Sequence, residues 1–158
     1  MTRSGIGYDS HRFAPGGPLI LGGVRIDADV HLHGHSDGDA IAHAVTDAIL
    51  GAVALGDIGA LFADTDPVNK DRDSIEMLGI AVARLAAAGW VVGQVDVVVI
   101  AETPKIAPHR DAMRARIASA LGVTVSDVSI KGKTNEGMGF VGRGEGIACM
   151  ATATVRAQ

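Results

Sequence analysis

Apolar residues recur every three to four positions in three segments of the chain, a spacing that predicts three helices. At the start of the first segment, Ser36 followed by Asp39 predicts a capping box. After the second segment, Gly89 marks the expected end of the helix. The three predicted helices cover residues 37–55, 74–88 and 109–121.

Strand-like patterns occupy the stretches between these segments. Residues 95–101 form a nearly continuous β-branched run, which predicts a central strand buried on both faces. Residues 146–156 alternate between apolar and polar side chains, as expected for a strand with one buried face. Shorter strands are predicted at residues 4–8, 18–26 and 127–131.

The resulting order is strand, strand, helix, helix, strand, helix, strand, strand. It predicts an α+β fold in a single domain, residues 1–158, with the helices packed on one face of a mixed β-sheet. The other face would carry Ala, Thr and Val, an apolar surface that calls for a partner. We therefore expect two or more copies of the chain to associate through it.

Composition adds two constraints on the core. Hydrophobic residues make up 47% of the chain, which predicts a folded protein, while aromatic residues make up only 3%. We therefore expect a core of small side chains in which backbone segments approach closely. Cys149 is the only cysteine, so an intrachain disulfide is excluded, and its apolar surroundings predict a buried thiol.

Charge and termini restrict the class of partner. The formal net charge is −4 and the basic residues are scattered, which excludes the electrostatic surface of a nucleic-acid-binding protein. The N-terminal residues lack the apolar run of a signal peptide, and no segment approaches the roughly 20 apolar residues of a membrane span. We expect a cytoplasmic protein that contacts neither nucleic acid nor membrane.

Three polar residues form a candidate metal site. Asp9 and His11 leave the first strand two residues apart, so their side chains point the same way. His43 lies on the first helix, with Asp39 and Asp47 one turn before and after it as candidates for orienting its imidazole. One carboxylate and two imidazoles with an open position suit a catalytic zinc ion. The alternative is a loop Asp–His pair and a boundary histidine that bind nothing.

Two glycine- and proline-containing loops are candidates for phosphate binding. After the strand at 127–131, Lys133, Thr134 and Asn135 lie among glycines whose N–H groups suit phosphate oxygens, and Glu136 offers a carboxylate to magnesium. The alternative is an ordinary tight hairpin. Lys105 lies in the second loop, residues 101–109, which follows the central strand.

His31, His33 and His35 alternate along a third segment. A metal-binding histidine tract is one interpretation. A histidine-rich connection that places only His35 at the site is the interpretation we favour.

Taken together, these segments closely resemble the 2-C-methyl-D-erythritol 2,4-cyclodiphosphate synthase family of the non-mevalonate isoprenoid pathway. They occur in one order over nearly the whole chain. The matching stretches are GYDSHRF, PLILGGVRI, HGHSDGDAIAHAVTDAILGA, LGDIGALFADTDP, DSIEML, ETPKIAPH, KGKTNE and GFVGRGEGIA.

The resemblance implies a reaction and an assembly. In that family, the 2-phosphate of 4-diphosphocytidyl-2-C-methyl-D-erythritol 2-phosphate attacks the β-phosphate of the same molecule. CMP leaves and a cyclic diphosphate forms, which makes the enzyme a metal-dependent phosphorus–oxygen lyase. The family assembles as a homotrimer with its sites between subunits, so we expect the open sheet faces to meet there.

The resemblance also implies residue roles. Asp9, His11 and His43 match ligands of zinc or another divalent cation, and Glu136 matches a ligand of Mg²⁺ or Mn²⁺. His35 and Thr134 match positions that stabilise the transition state. Further implied substrate contacts, besides Asp9, His11, His35, Thr134 and Glu136, are Ser36, Asp57, Ile58, Gly59, Phe62, Ala63, Asp64, Thr65, Asp66, Ala101, Glu102, Thr103, Pro104, Lys105, Ile106, Ala107, Lys133, Asn135, Phe140 and Arg143.

This chain departs from the family at a few loop positions and at no matched metal ligand. Gly132 and Lys133 stand where members vary among small and hydroxyl residues, and Gly137 stands where a basic residue is common.

Two rival functions stay open at this point. One is a zinc-dependent phosphate hydrolase that uses metal-bound hydroxide, and the other is a nucleotide-binding module without catalysis.

Overall fold

The computed structural model describes residues 1–158 and contains seven strands and five α-helices. The strands are β1 (Thr2–Pro15), β2 (Leu19–Leu21), β3 (Val24–Ile26), β4 (Val30–Leu32), β5 (Trp90–Ile100), β6 (Val128–Lys133) and β7 (Gly146–Ala157). The helices are α1 (Ala40–Ala52), α2 (Ile58–Leu61), α3 (Ser74–Ala87), α4 (Arg110–Leu121) and α5 (Gly139–Gly142).

The main sheet is mixed, as predicted. Its five strands have the order β4-β1-β7-β5-β6, and β2 pairs with β3 in a separate hairpin. Strands β5 and β6 run parallel, and the other neighbours in the sheet are antiparallel. Helix α1 packs on β1 and β7, α3 packs on α1 and β5, and α4 packs on α3 and β6. The arrangement confirms a single-domain α+β fold.

Several predicted elements need correction. Segment 18–26 is a hairpin because Gly22 and Gly23 both adopt positive φ angles and reverse the chain. Helix α1 begins at Ala40, and its N-cap is Asp39, whose carboxylate accepts a hydrogen bond from the N–H of Ala42. The predicted capping box from Ser36 was therefore wrong. Strand β4 and the short helices α2 and α5 were missed because each is only three or four residues long.

Strand β5 is an inner strand next to β7, which occupies the centre of the sheet. It is buried on one face only, so the prediction of a central strand with two buried faces was wrong. Val95, Val97 and Val99 are buried in the core, whereas Asp96 and Val98 between them are only partly buried. Helices cover the first face, and no part of this chain covers the second.

The middle of the uncovered sheet face is apolar, as predicted, but the face also carries the ion pair of Asp96 and Lys131, and its exposed apolar side chains are larger than expected. Ile6, Tyr8 and Met150 are 63%, 54% and 42% exposed. Tyr8 and Met150 are direct cross-strand neighbours, and Met150 in turn pairs with Val98. They form one continuous patch across the middle of the sheet.

Small residues bring α1 close to β1. A Cβ atom added at Gly5 or Gly7 would collide with the backbone of α1 at Ala48 or Ala44. The composition therefore predicted this contact correctly. The close approach places His43 of α1 over the strand that carries Asp9 and His11.

None of the helices combines the length and the apolar character needed to cross a membrane.

Candidate active site

Asp9, His11 and His43 converge on one point, as predicted. The Oδ2 atom of Asp9 lies 2.7 Å from Nε2 of His11 and 3.1 Å from Nδ1 of His43. The two ring nitrogens are 3.2 Å apart. Asp9 and His11 lie within β1 and not beyond its end, but their two-residue spacing still places both side chains on the helix side of the sheet.

The remaining ring nitrogen of each histidine has its own hydrogen-bond partner. Nδ1 of His11 lies 2.7 Å from the carbonyl oxygen of His33, and Nε2 of His43 lies 2.8 Å from Oγ of Ser74. Because a carbonyl oxygen only accepts, Nδ1 of His11 carries the proton in the neutral ring and Nε2 presents a lone pair to the site.

This donor set fits a divalent cation. A tetrahedral zinc ion with ligands at its usual bond lengths separates them by about 3.3 Å. Two of the three distances, 3.1 Å and 3.2 Å, are close to this value, and the third, 2.7 Å between Asp9 and His11, is shorter. Lone pairs on neutral imidazoles beside a carboxylate repel one another unless a cation or proton lies between them. The three ligand atoms therefore form a site whose mutual repulsion is relieved when a cation binds between them.

The proximity of Asp9 and His11 shifts the pKa of both groups. Burial disfavours the charged form of Asp9, but the hydrogen bonds and positive charge that protonated His11 and His43 provide together outweigh burial and lower the pKa of its carboxyl group. Burial also works against charge on His11, but the hydrogen bond to Asp9 and the attraction of its charge raise the pKa of the imidazole. A proton and a metal ion compete for the same lone pairs, so metal binding releases protons.

Neither Asp39 nor Asp47 orients His43, so that prediction was wrong. Asp39 is fully buried and accepts hydrogen bonds from the N–H groups of Gly22, Gly23 and Ala42, which ties the β2–β3 turn to the start of α1. Asp47 accepts from the N–H of Ile58 at the start of α2. Burial raises the pKa of both carboxyl groups.

The trio opens into a cavity of about 310 Å³. Sequence reasoning had named nine of its lining residues: Asp9, His11, His35, Ser36, His43, Ile58, Gly59, Phe62 and Asp64. It missed Gly34, Asn69 and Met77. Nothing in the local sequence marks Asn69, which is buried and donates from its side chain to the carbonyl oxygen of Ala63.

Four of the other predicted contacts in this region lie outside the cavity lining: Asp57, Ala63, Thr65 and Asp66. Two of them have structural roles. Asp57 caps α2 through the N–H of Ala60, and Asp66 caps a short turn through the N–H of Val68.

Of the three alternating histidines, only His35 lines the cavity, which confirms the favoured interpretation. The Nδ1 atom of His31 lies 2.7 Å from the carbonyl oxygen of Gly16, and the side chain of His33 is exposed. Nε2 of His35 is buried and has no hydrogen-bond partner in the chain. It is the polar atom of the cavity most in need of a ligand.

A second pocket, of about 180 Å³, lies where β5 and β6 end. Its predicted lining residues are Ala101, Pro104, Lys105, Ile106, Ala107, Lys133 and Thr134. Gly132 and Arg110 were missed as lining residues. The Nε atom of Arg110 is buried without a partner, and with Lys105 and Lys133 it makes the pocket cationic.

The loop after β6 is tied to the loop after β5 by one carboxylate. Oε1 of Glu102 accepts hydrogen bonds of 3.1 Å from the N–H groups of both Asn135 and Gly137. Glu136 lies between them with a positive φ of 53° and an exposed side chain. Glu136 is not part of the Asp9 cluster in this chain, and Thr103 does not line the pocket.

Phe140 lies in a third cavity, of about 250 Å³, with Ser10, His11, Arg12 and Glu145. Arg143 does not line it, and its guanidinium pairs with Glu145 at 2.8 Å.

The Asp9–His11–His43 cluster and the second pocket are separated within one chain. Asp9 and His11 lie on β1 and Lys133 lies on β6, three strand intervals away in the sheet. At the usual strand spacing, this separation is about 14 Å.

Comparison with known proteins gives consistent results. The family model described as the YgbB family matches residues 2–156. The 2-C-methyl-D-erythritol 2,4-cyclodiphosphate synthase of Gemmatimonas aurantiaca is 62% identical over 99% of this chain and 95% of its own length. That of Burkholderia thailandensis is 54% identical over 97% of this chain and 94% of its own length.

Solved structures agree with the fold. The CDP complex of IspF from Plasmodium falciparum has a TM-score of 0.86 and 36% identity, over 99% of this chain and 97% of that one. The bifunctional IspDF from Campylobacter jejuni has a TM-score of 0.96 and 39% identity. This chain is covered in full but spans only 43% of that longer protein. The resemblance seen in the sequence motifs is confirmed, and the chain belongs to the YgbB family of 2-C-methyl-D-erythritol 2,4-cyclodiphosphate synthases.

Proposed function

We propose that residues 1–158 are a single catalytic domain that converts 4-diphosphocytidyl-2-C-methyl-D-erythritol 2-phosphate to the cyclic 2,4-diphosphate and CMP. The observation that carries this proposal is the convergence of Asp9, His11 and His43 on one point at the wall of a cavity. Relatives of nearly the same length with that activity in their names support it. Cytoplasmic location stays a prediction from the sequence.

Asp9, His11 and His43 would hold zinc or another divalent cation. When bound, such an ion supplies Lewis-acid stabilisation to a phosphate oxygen that takes the open coordination position. The lowered pKa of Asp9 keeps its carboxylate ionised at neutral pH, so the trio keeps its anionic ligand. The buried Nε2 atom of His35, which has no hydrogen-bond partner in the chain, lies in the same cavity and is available to donate a hydrogen bond to a phosphate oxygen.

The second pocket suits the nucleotide diphosphate end of the substrate. Lys105, Lys133 and Arg110 supply positive charge, and Thr134 adds a hydroxyl group beside them. Among the solved structures, the Plasmodium falciparum neighbour is a CDP complex. We expect the cytidine diphosphate group to occupy this pocket, with Glu136 at its edge holding Mg²⁺ or Mn²⁺.

The reaction needs no protein nucleophile, because the attacking phosphate belongs to the substrate. The chain's contribution is to hold both ends of one molecule so that its two phosphates meet. Orientation of this kind is worth about 7–11 kcal/mol of the barrier. The rest comes from positive charge placed where negative charge develops.

Assembly into a homotrimer would join the two pockets. Within one chain they lie about 14 Å apart in the sheet, and Glu136 lies outside the Asp9 cluster. The exposed patch of Ile6, Tyr8 and Met150 offers a surface on which copies can associate. Sites shared between subunits would then bring Glu136 of one copy to the trio of its neighbour.

One incubation tests the activity. The protein is mixed with the diphosphocytidyl substrate, Zn²⁺ and Mg²⁺, and the products are followed by ³¹P NMR and chromatography. Equimolar CMP and cyclic diphosphate support the proposal. Free phosphate would identify a zinc-dependent hydrolase instead, and binding of CMP without turnover would identify a nucleotide-binding module.

A further inference from the structure

A partly buried chain of hydrogen bonds leads from Asp37 through Ser74 to His43. Oγ of Ser74 lies 2.8 Å from Nε2 of His43 and within hydrogen-bond distance of Oδ1 of Asp37. The backbone N–H of Ser74 donates to Oδ2 of Asp37, and the N–H of Asp39 donates to Oδ1, both at 3.1 Å. Ser74 is fully buried at the start of α3. The loop before α1 and the N-terminus of α3 therefore meet behind the metal trio.

The direction of this chain follows from its two ends. A carboxylate oxygen only accepts, so the hydroxyl proton of Ser74 is donated to Asp37. Oγ of Ser74 is then left as an acceptor toward His43, and Nε2 of His43 must carry the ring proton. In the neutral ring, Nδ1 of His43 has the free lone pair, and it is Nδ1 that points at Asp9 and His11.

A second hydroxyl group competes for the same ring proton. Oγ of Ser36 lies 3.0 Å from Nε2 of His43, against 2.8 Å for Ser74. Ser36 lines the cavity, whereas Ser74 does not. A ligand in the cavity can form a hydrogen bond with Ser36 in place of the one to His43, but it cannot reach Ser74. Ser74 is therefore the permanent partner of His43.

We propose that Asp37 and Ser74 are positioning residues that fix the tautomer and the ring plane of His43, so that its Nδ1 lone pair is aimed at the cation before the cation arrives. Neither residue touches the metal or the substrate in this role. The inference rests on the proposed function only in taking the Asp9–His11–His43 trio as a metal site. It gives a role to two residues to which the sequence analysis had assigned none, because Ser74 lies 31 positions from His43.

The two key variants are Ser74→Ala and Asp37→Asn. The first leaves Nε2 of His43 with only the longer contact to Ser36. The second places an amide NH₂ against either the N–H of Ser74 or that of Asp39, so one backbone hydrogen bond is lost in both amide orientations. Asp73→Asn is the matched control, since Asp73 is an exposed N-cap next to Ser74 and asparagine caps equally well.

The measurements are Zn²⁺ affinity by competition with a chromogenic chelator and the visible spectrum of the Co²⁺-loaded protein. Circular dichroism and sedimentation establish that each variant is folded and assembled. Loss of an outer partner of a ligating histidine typically lowers metal affinity 10- to 100-fold. We expect a loss in this range and a shifted Co²⁺ spectrum for both key variants, with Asp73→Asn within twofold of wild type.

Folded Ser74→Ala protein with wild-type Zn²⁺ affinity and an unchanged Co²⁺ spectrum would overturn the inference. So would an equal loss of affinity in Asp73→Asn, because the effect would then come from α3 in general. If Asp37→Asn fails to fold, Ser74→Ala alone decides. Failure of the wild-type protein to bind either metal would instead refute the assignment of Asp9, His11 and His43 as a metal site. The proposed synthase activity is tested separately by the release of CMP.

Discussion

Gly7 of β1 packs directly against the carbonyl group of Ala44 on α1, one residue after His43. Because Asp9 follows Gly7 by two residues, the same contact sets the distance between the strand ligands and the helix ligand. A glycine without chemistry of its own therefore determines the geometry of the metal trio.

Gly7→Ala should push α1 away from β1. We expect the free energy of unfolding to fall by about 1–3 kcal/mol or more, as for other overpacked cores, and Zn²⁺ affinity to fall with it. Urea denaturation and chelator competition measure the two effects. Gly79→Ala on α3 is the control, because nothing lies within 4 Å of the added methyl group. It should leave stability unchanged or raise it by up to about 1 kcal/mol.

His43→Ala removes the helix ligand of the trio. We expect zinc content to fall to background and CMP release to fall by at least about a thousandfold, since both depend on the cation. Elemental analysis and a turnover assay test this, with sedimentation to show that the protein stays folded and assembled. His33→Ala, which removes an exposed side chain outside the cavity, should retain both properties. Substantial turnover in His43→Ala would remove the metal assignment.

Glu136→Ala tests the second cation. The zinc trio does not include Glu136, so zinc content should be unchanged. The Mg²⁺ or Mn²⁺ concentration needed for half-maximal turnover should rise about tenfold or more, because one anionic ligand is lost. An activity curve that superimposes on that of the wild type over the metal titration would count against this role.

Arg110→Gln tests the cationic second pocket. The buried Nε atom of Arg110 has no partner in the chain, so an anionic ligand is its expected partner. We expect CMP to bind about three- to tenfold more weakly in this variant, as measured by calorimetry. Arg116→Gln removes a guanidinium from the same helix outside that pocket and should bind CMP normally. Equal affinities in the two variants would exclude Arg110 from nucleotide binding.

Asp39→Ala and Asp73→Ala compare a buried and an exposed helix cap. Asp73 satisfies one N–H group at the surface, and its loss should cost about 0.5–2 kcal/mol. Asp39 is fully buried and satisfies three N–H groups on two segments, so its loss should cost about 3 kcal/mol or more. Urea denaturation decides the comparison. Similar losses would show that the buried contacts contribute little.

The sequence predicted the metal trio because its geometry is mostly local. The two-residue spacing of Asp9 and His11 sets their common direction in any strand. His43 followed from a helix whose apolar face was unambiguous. The abundance of small residues indicated that backbone segments approach closely, and the structure shows that Gly7 is one place where they do.

Contacts between distant segments were beyond such reasoning. Ser74 meets His43 only because α3 packs on α1, and no pattern in either segment specifies their register. Asp39 was read as a partner of His43, yet the β2–β3 turn offers its carboxylate two further N–H groups from 16 and 17 positions away. Arg110 and Asn69 were missed for the same reason.

The carboxylate of Glu102 holds the turn around Glu136 by hydrogen bonds to Asn135 and Gly137. Any ligand that rearranges the loop after β5 must therefore also move the carboxylate of Glu136. Under the proposed function, nucleotide binding and loading of the second cation would be linked equilibria, and each would change the affinity for the other by the same factor.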